Sequence, residues 1–368
     1  MNMNNKLLLG ALVTASLGLV GQTPGAPALE GLDPVALVQG KEAPGKNSIS
    51  VEKGGFLYVF DSEENKKRFL ADPDRYGIQN DGICQRMGAP VNGNPDLWTV
   101  HQGKIYIFGS PGCHKAFAEA PEKYLDPPAA TGLPASVQEN GRTNARALLE
   151  KAVQAMGSAT AVDAVSAYVM QSSRTRRNTQ GEEVVNVRRM ITAFPARFRI
   201  EQVANGRLMF AQVVSPESSF TAFGGGTQEL NGSRAKAARS QVERYPLAIL
   251  RARKQKDFDA AWIGTSTNPE AERVAIFYAG ELIELGIDAK SGRVLSLSYA
   301  GRSSQGFTGT VTLLYSDFRK TGALELPYKI AGMHNGQPDA GFDVLFDSIS
   351  IDPALSAEAF QKPARSAR

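Results

Sequence analysis

Hydrophobic and polar positions alternate in short blocks along the first third of this chain. Apolar runs at Phe56–Phe60 and Lys104–Phe108 are each followed by a polar turn and a short helical pattern. Runs of aromatic and β-branched residues bounded by turn residues are typical of strands. The first third is therefore predicted to combine short strands with short helices.

This strand-and-helix pattern occurs twice with the same spacing. Each copy reads Tyr-x-Phe-x-Ser, followed by a Phe, a Pro and a Tyr. The two sets are Tyr58, Phe60, Ser62, Phe69, Pro73, Tyr76 and Tyr106, Phe108, Ser110, Phe117, Pro121, Tyr124. A unit this small cannot bury enough apolar surface alone, so the two halves are predicted to share a core built from these aromatic rings.

A stretch rich in Pro, Ala, Gly and Ser interrupts the pattern at residues 127–142. It has almost no large apolar side chains, which is typical of a linker. A chain of 368 residues also exceeds the size at which one core usually stops growing. We therefore predict a first domain over 29–126 and a second over 143–364.

Strand patterns predominate in the second domain, and helical periodicity is confined to residues 143–156 and 240–254. The predicted strands include 193–203, 208–214, 281–287, 294–299, 309–315, 326–333 and 342–351. Strands joined by short turns, without regular alternation with helices, indicate an antiparallel sheet with helices on one face. The predicted fold class is α+β.

The first 28 residues have the pattern of a secretory signal peptide. Lys6 precedes an apolar run, residues 7–20, and Ala26-Pro27-Ala28 supplies an A-x-A cleavage site. The run is shorter than the roughly 20 residues of a membrane-spanning helix, and three glycines weaken the alternative of an uncleaved anchor. The sequence predicts a periplasmic or secreted protein that meets membranes only transiently or peripherally.

Charge and motifs exclude several classes of function. A net charge of +4 without a concentrated basic stripe argues against nucleic-acid binding, and the cluster Arg174, Arg176, Arg177 is interpreted as a solvated face. The sequence contains no nucleophile elbow, zinc-protease helix, Walker loop or dinucleotide fingerprint. The protein is therefore predicted not to be an enzyme.

The chain has two cysteines, Cys84 and Cys113, and they leave two interpretations open. In an oxidising compartment a disulfide between them would stabilise the fold by ~3–4 kcal/mol. Alternatively, both thiolates with His101 and His114 would form a zinc set, and the Met87 thioether would suit copper(I).

Residues 31–125 resemble the secreted YHS-domain family. The resemblance rests on Gly31-Leu32-Asp33-Pro34-Val35-Ala36, both Tyr-x-Phe-x-Ser motifs, Phe69-x-Ala71-x-Pro73-x-x-Tyr76, Gly82-x-Cys84, Trp98-Thr99-Val100 and Gly103-Lys104-x-Tyr106. It implies a small α+β domain that binds metal through cysteine and histidine or serves as an interaction module.

Residues 144–363 resemble the lipoprotein-carrier (LolA-like) superfamily. The resemblance rests on Leu148-Leu149-x-Lys151-Ala152, Phe194-Pro195-x-Arg197-Phe198-Arg199, Tyr315-Ser316-Asp317-Phe318-Arg319, Leu326-Pro327-x-Lys329-Ile330 and Phe360-x-Lys362-Pro363. It implies a curved antiparallel half-barrel around helices, with an apolar cavity for acyl chains. The candidate residues lining that cavity are Phe198, Phe210, Phe220 and Trp262.

These observations predict a non-enzymatic periplasmic binding protein. The second domain would hold a lipid or a lipoprotein acyl chain, and the first would bind metal or a partner. The alternative is a copper- or zinc-handling protein with the second domain as a scaffold, and a third class is an interaction protein with neither ligand.

Overall fold

The computed structural model describes residues 25–88, 91–137, 140–177, 180–223, 226–230 and 232–362. Contacts divide the chain into two compact units: unit 1 is residues 1–84 and 92–114, and unit 2 is residues 85–91 and 115–368. The predicted domain limits, 29–126 and 143–364, stay a prediction, and most of the predicted signal peptide lies outside the described residues. Among the described residues, no helix has the length and apolar character needed to cross a membrane.

Unit 1 contains two antiparallel hairpins and short helices. Its strands are β1 (Lys46–Lys53), β2 (Phe56–Phe60), β3 (Asn94–His101) and β4 (Lys104–Phe108), and its helices are α1 (Pro34–Val38), α2 (Glu63–Ala71) and α3 (Pro73–Tyr76). A further helix, α4 (Pro111–Glu119), begins in unit 1 and ends in unit 2. Strand β1 pairs with β2, β3 pairs with β4, and a parallel bridge joins Ile78 to Ile105.

The repeated serines and aromatic residues explain the local structure of this part of the chain. Ser62 accepts a hydrogen bond from the Asn65 amide at the start of α2, and Ser110 accepts one from the Cys113 amide in the first turn of α4. All eight repeat aromatic side chains are buried, which confirms the predicted core positions. Burial also raises the pKa of Tyr58 to about 12, and its hydroxyl accepts a hydrogen bond from the Ile78 amide at 3.0 Å.

Unit 2 is built from strands and a few helices, which confirms the α+β fold class. The helices are α5 (Gly141–Met156), α6 (Ala159–Ala164), α7 (Gly232–Glu243) and α8 (Pro246–Ala252). The strands are β5 (Ala167–Arg177), β6 (Glu183–Ala193), β7 (Arg197–Ala204), β8 (Arg207–Val214), β9 (Ser219–Phe223), β10 (Gly226–Glu229), β11 (Asp259–Thr267), β12 (Glu270–Tyr278), β13 (Glu281–Ile287), β14 (Val294–Arg302), β15 (Thr308–Thr321), β16 (Leu324–His334), β17 (Gln337–Pro338), β18 (Val344–Leu345) and β19 (Ser348–Ile351).

Over the described residues, the strands of unit 2 form two open antiparallel sheets. The seven-stranded sheet has the order β10-β9-β8-β7-β6-β5-β19. The eight-stranded sheet has β11 to β17 in order, and β18 is its eighth strand. Strand β18 pairs with β16 at the side of the second sheet.

Three predicted elements are divided in the structure. The predicted strand 193–203 is the end of β6, a turn and β7, and the predicted strand 342–351 contains the separate strands β18 and β19. The predicted helix 240–254 spans the end of α7 and all of α8. Its interruption has a clear cause, because Pro246 begins α8 and the preceding Tyr245 is extended, as the residue before a proline prefers.

Helices α5, α6 and α8 share one core with both sheets. They contribute buried apolar side chains such as Leu149, Val162 and Leu247, and these contact sheet residues such as Met170 and Leu285. The core of unit 2 thus lies where these three helices meet the sheets. Helix α7 is separate from it and packs on β8.

Candidate functional site

One face of the seven-stranded sheet, here called the inner face, is defined by its strand register. Tyr168 pairs with Thr192, Thr192 with Phe198, and Phe198 with Val214. Directly paired residues of an antiparallel sheet point to the same side, so these four side chains share a face. Because Tyr168 belongs to the main core, the inner face is the one turned towards the helices.

A separate apolar cluster lies on the inner face beneath α7. Its buried members are Phe198, Ile200, Val214 and Ala238, and Met190, Phe210 and Leu230 lie partly buried against it. We call this set the α7 cluster. It contains two of the four side chains predicted to line a ligand cavity, Phe198 and Phe210.

The described side chains of helix α7 supply little apolar surface to the α7 cluster. Among its described side chains, only Ala238 and Ser240 are buried. Ala238 is the described α7 residue in the apolar cluster, whereas the Ser240 hydroxyl lies within hydrogen-bonding distance of two acceptors, the Glu281 carboxylate at 2.5 Å and the Lys236 carbonyl at 3.0 Å. A single methyl group is a small contribution to the burial of two phenylalanine rings.

The C-terminal end of α7 is held instead by polar contacts. Arg244 forms an ion pair with Glu281 at 2.8 Å, and its guanidinium lies 3.8 Å from the centre of the Tyr299 ring. Burial and then the negative charge of Glu281 raise the pKa of the Glu243 carboxyl. The helix is therefore anchored at its end, next to the break before α8.

The other two predicted lining residues lie elsewhere. Phe220 pairs with Val213, which points to the face opposite Val214, and it packs there with Ala211 and Ala222. Trp262 is on β11 of the other sheet, where its indole nitrogen donates to Glu272 at 2.6 Å. The structure therefore does not bring the four predicted residues together, because alternation along the strands separates Phe220 from Phe198.

A shallow pocket lies beside α5, away from the α7 cluster. It is partly open to solvent, and its cavity volume is about 10 Å³. Its lining residues are Ala152, Ala155, Met156, Pro246, Arg293, Val294, Phe318, Glu325 and Pro327. None of the four predicted residues contributes to it.

Both cysteines are buried, and the Cys84–Cys113 disulfide stays a prediction. The Ser110 hydroxyl donates to the Cys113 sulfur at 3.3 Å. Cys113 lies on α4, one turn after the strand β4 that ends at Phe108.

The histidines and the methionine of the predicted metal set have other surroundings. His114 stacks on Phe108 and its Nε2 lies 2.5 Å from the Thr99 hydroxyl, while His101 ends β3. Met87 is exposed and belongs to unit 2, and its sulfur accepts a hydrogen bond from Arg86. Among the described residues, no group of three or more His, Cys, Asp or Glu side chains is placed to hold a metal ion. The copper or zinc site stays a prediction.

Arg188 is a candidate that the sequence analysis missed. It lies on the inner face of β6, two residues from Met190, and burial followed by the charge of Arg174 lowers the pKa of its guanidinium. The strand prediction began only at residue 193, so the position of Arg188 on a sheet face was not recognised.

No protein-family model and no curated protein matches the chain. Solved structures that are similar to it include the following two. One is the "putative outer membrane lipoprotein-sorting protein domain" of Vibrio parahaemolyticus, with 10% identity, a TM-score of 0.36, and coverage of 58% of this chain and 95% of that one. The other is a LolA superfamily protein from Nitrosomonas europaea, with 13% identity, a TM-score of 0.37, and coverage of 59% and 97%.

Proposed function

We propose that this protein is an exported, non-enzymatic binding protein that holds the hydrocarbon chain of a lipid or lipoprotein on the inner face, beneath α7. The proposal rests on the contrast between the apolar α7 cluster and the small apolar surface that the described side chains of α7 place against it. Two phenylalanine rings, Ile200 and Val214 meet a helix whose described side chains contribute only Ala238 to their cluster.

An acyl chain would cover this face better than α7 does. Each methylene group removed from water contributes about 0.8 kcal/mol, so a few of them outweigh the contact made by one alanine methyl. Arg244 and Glu281 would hold the C-terminal end of α7 while the rest of the helix moves aside. The break before Pro246 would keep that movement from disturbing α8 in the core.

For unit 1 we propose an interaction module. A metal-handling role is the weaker alternative, because His114 is already engaged by Thr99 and Met87 belongs to the other unit. Both cysteines are buried.

The test is binding of a fluorescent fatty-acid probe to the full chain, with native lipid identified by mass spectrometry. Phe210→Asp places a charge in the α7 cluster and is expected to weaken probe binding at least tenfold. The matched control is Met209→Asp on the adjacent, exposed position, which should bind as the wild type does. Thermal unfolding of both variants separates lost binding from lost folding. Absence of probe and lipid from the wild-type protein would contradict the proposal.

A further inference from the structure

Arg188 occupies an unusual place for a charged side chain. It lies opposite Ser172 of β5 and Gln202 of β7, in the interior of the seven-stranded sheet. The side chain is partly buried, and its Nε is enclosed without a hydrogen-bond partner among the described residues. A buried N–H donor without an acceptor destabilises a fold.

A second arginine nearby makes the position of the charged Arg188 side chain still less favourable. Arg174 lies diagonally across from Arg188, since Arg188 pairs with Ser172 two residues away. Like charges at neighbouring positions of a sheet repel each other. Arg176 follows on the same face, so three arginines, here called the arginine patch, share the inner face: Arg174, Arg176 and Arg188.

On the outer face of the same strands, arginines are paired with carboxylates. There, Arg189 and Arg199 both form ion pairs with Glu201, at 3.1 and 2.7 Å, and Arg177 approaches Glu183. By contrast, none of the three patch residues forms an ion pair with the described residues. Arg174 donates to the backbone carbonyl of Asp343, whose carboxylate accepts from the Gly332 amide. Within the described part of the chain, no carboxylate therefore pairs with these positive charges on the inner face.

The arginine patch adjoins the α7 cluster on one continuous face. Met190 follows Arg188 on the inner face, about 7 Å further along β6 at the usual strand rise, and it contacts both the main core and the α7 cluster. Ile200 pairs with Met190, and Phe198 follows on the same face of β7. The inner face therefore has a positively charged end, the arginine patch, and an apolar end, the α7 cluster. An amphiphile has the same division into a charged head and an apolar chain.

We propose that Arg188, assisted by Arg174, binds the anionic head group of the amphiphile whose chain lies beneath α7. The fork of guanidinium N–H groups matches the oxygens of a carboxylate or a phosphate, and an anion would satisfy Nε and offset the repulsion within the patch. This inference rests on the proposed function for the chain site, and it adds the class of ligand: acyl amphiphiles with a negatively charged head.

The head-group proposal is tested by competition. Laurate, dodecyl phosphate, dodecanol and inorganic phosphate are each used to displace the fluorescent fatty-acid probe from the full chain. Laurate and dodecyl phosphate are expected to bind at least tenfold more tightly than dodecanol. Inorganic phosphate alone is expected to compete at least a hundredfold more weakly than dodecyl phosphate, because it lacks the chain.

Three substitutions at two adjacent positions locate the effect. Arg188→Gln should remove the preference for anionic chains while dodecanol binds as before, and Arg188→Lys should restore part of it. The control, Arg189→Gln, changes the neighbouring arginine on the outer face and should leave the preference intact. The unliganded Arg188→Gln protein should unfold at the same or a higher temperature than the wild type, whereas a structural role for Arg188 would lower that temperature.

The outcomes are separable. Equal binding of dodecanol and laurate, or an unchanged preference in Arg188→Gln, overturns the head-group proposal and leaves the chain site standing. Competition by inorganic phosphate as strong as by dodecyl phosphate overturns it in favour of a free-anion site. If no amphiphile displaces or binds, the proposed function fails as well.

Discussion

The protonation of one carboxyl group, that of Glu243, affects how firmly α7 is attached over the apolar inner face. Because burial and Glu281 raise its pKa, the folded protein favours the protonated form more than the unfolded chain does. A raised carboxyl pKa adds stability below the unfolded value, and that contribution is lost as pH rises through the folded value. The attachment of α7 should therefore weaken as pH rises above the ordinary carboxyl range.

We expect Glu243→Gln to be more stable than the wild type at pH 7.5 and nearly equal to it at pH 4. The physical reason is that the neutral amide avoids burying a charge beside Glu281. The measurement is urea unfolding at both pH values. Glu270→Gln, at an exposed position of β12, is the control and should show no such pH-dependent difference. A destabilised Glu243→Gln at pH 7.5 would show that the carboxylate is needed in its charged form.

At the scale of elements, three helices are joined by one guanidinium. Arg253 follows α8, its side chain is only 3% exposed, and it contacts Asp163 of α6 at 2.6 Å and Glu150 of α5 at 3.0 Å. It also donates to the Leu250 carbonyl at the end of its own helix. The hydrogen bond from Arg253 is the largest cause that lowers the pKa of Asp163.

Arg253→Met is expected to lower the free energy of unfolding at pH 7.5 by about 1–3 kcal/mol, the range for a buried charged hydrogen-bonded group that loses its partner. Lys254 still pairs with Asp163, which keeps the loss moderate. Since the Asp163 pKa is lowered, the difference should shrink as pH falls below the ordinary carboxyl range and the carboxyl is protonated. Lys254→Met is the control: its side chain is 64% exposed, so a loss of about 0.2–1 kcal/mol is expected. Equal losses in the two variants would contradict a special role for Arg253.

The sequence predicted correctly those elements whose own residues carry a recognisable pattern. The repeated Ser62 and Ser110, each followed by a helix and buried aromatic rings, predicted the hairpin-and-helix pattern of the first third. Strand β6 gave no such signal, because Arg188 and Arg189 interrupt its apolar alternation. The face to which Phe220 points depends on the register of β8 and β9, which local sequence does not encode.

At the scale of the whole molecule, the two units are interleaved along the chain. Residues 85–91 and 115–126 are part of unit 2, and Arg302 contacts both segments. Its guanidinium pairs with Asp126 at 2.9 Å and donates to the carbonyls of Tyr124 and Gln85, both at 2.7 Å. The Tyr124 ring stacks on Phe307 at 5.6 Å. A boundary of this kind could not be predicted from a linker at 127–142, because it depends on contacts between distant parts of the sequence.

Limited proteolysis is predicted to cut first within 127–137, where the chain lacks helix and strand. In the wild type the two fragments should still elute together in size-exclusion chromatography, because residues 85–91 and 115–126 remain packed on the region around Arg302. Arg302→Ala should let them separate under mild denaturant. The control, Arg319→Ala, removes a half-exposed arginine paired with Asp317 and should leave co-elution unchanged. Separation of the wild-type fragments in buffer would contradict the prediction.

The Arg302 contacts also have a consequence for the order in which the protein can acquire its structure. Synthesis proceeds from the N-terminus, so residues 85–126 emerge long before residue 302. The bond to Gln85 closes a separation of 217 residues, and closing longer loops costs more chain entropy. Unit 1 can therefore form its hairpins early, while the segments at 85–91 and 115–126 must wait for nearly the whole chain. Until then the Tyr124 ring lacks its partner Phe307, and this interval is when the nascent protein most needs protection from association with other chains.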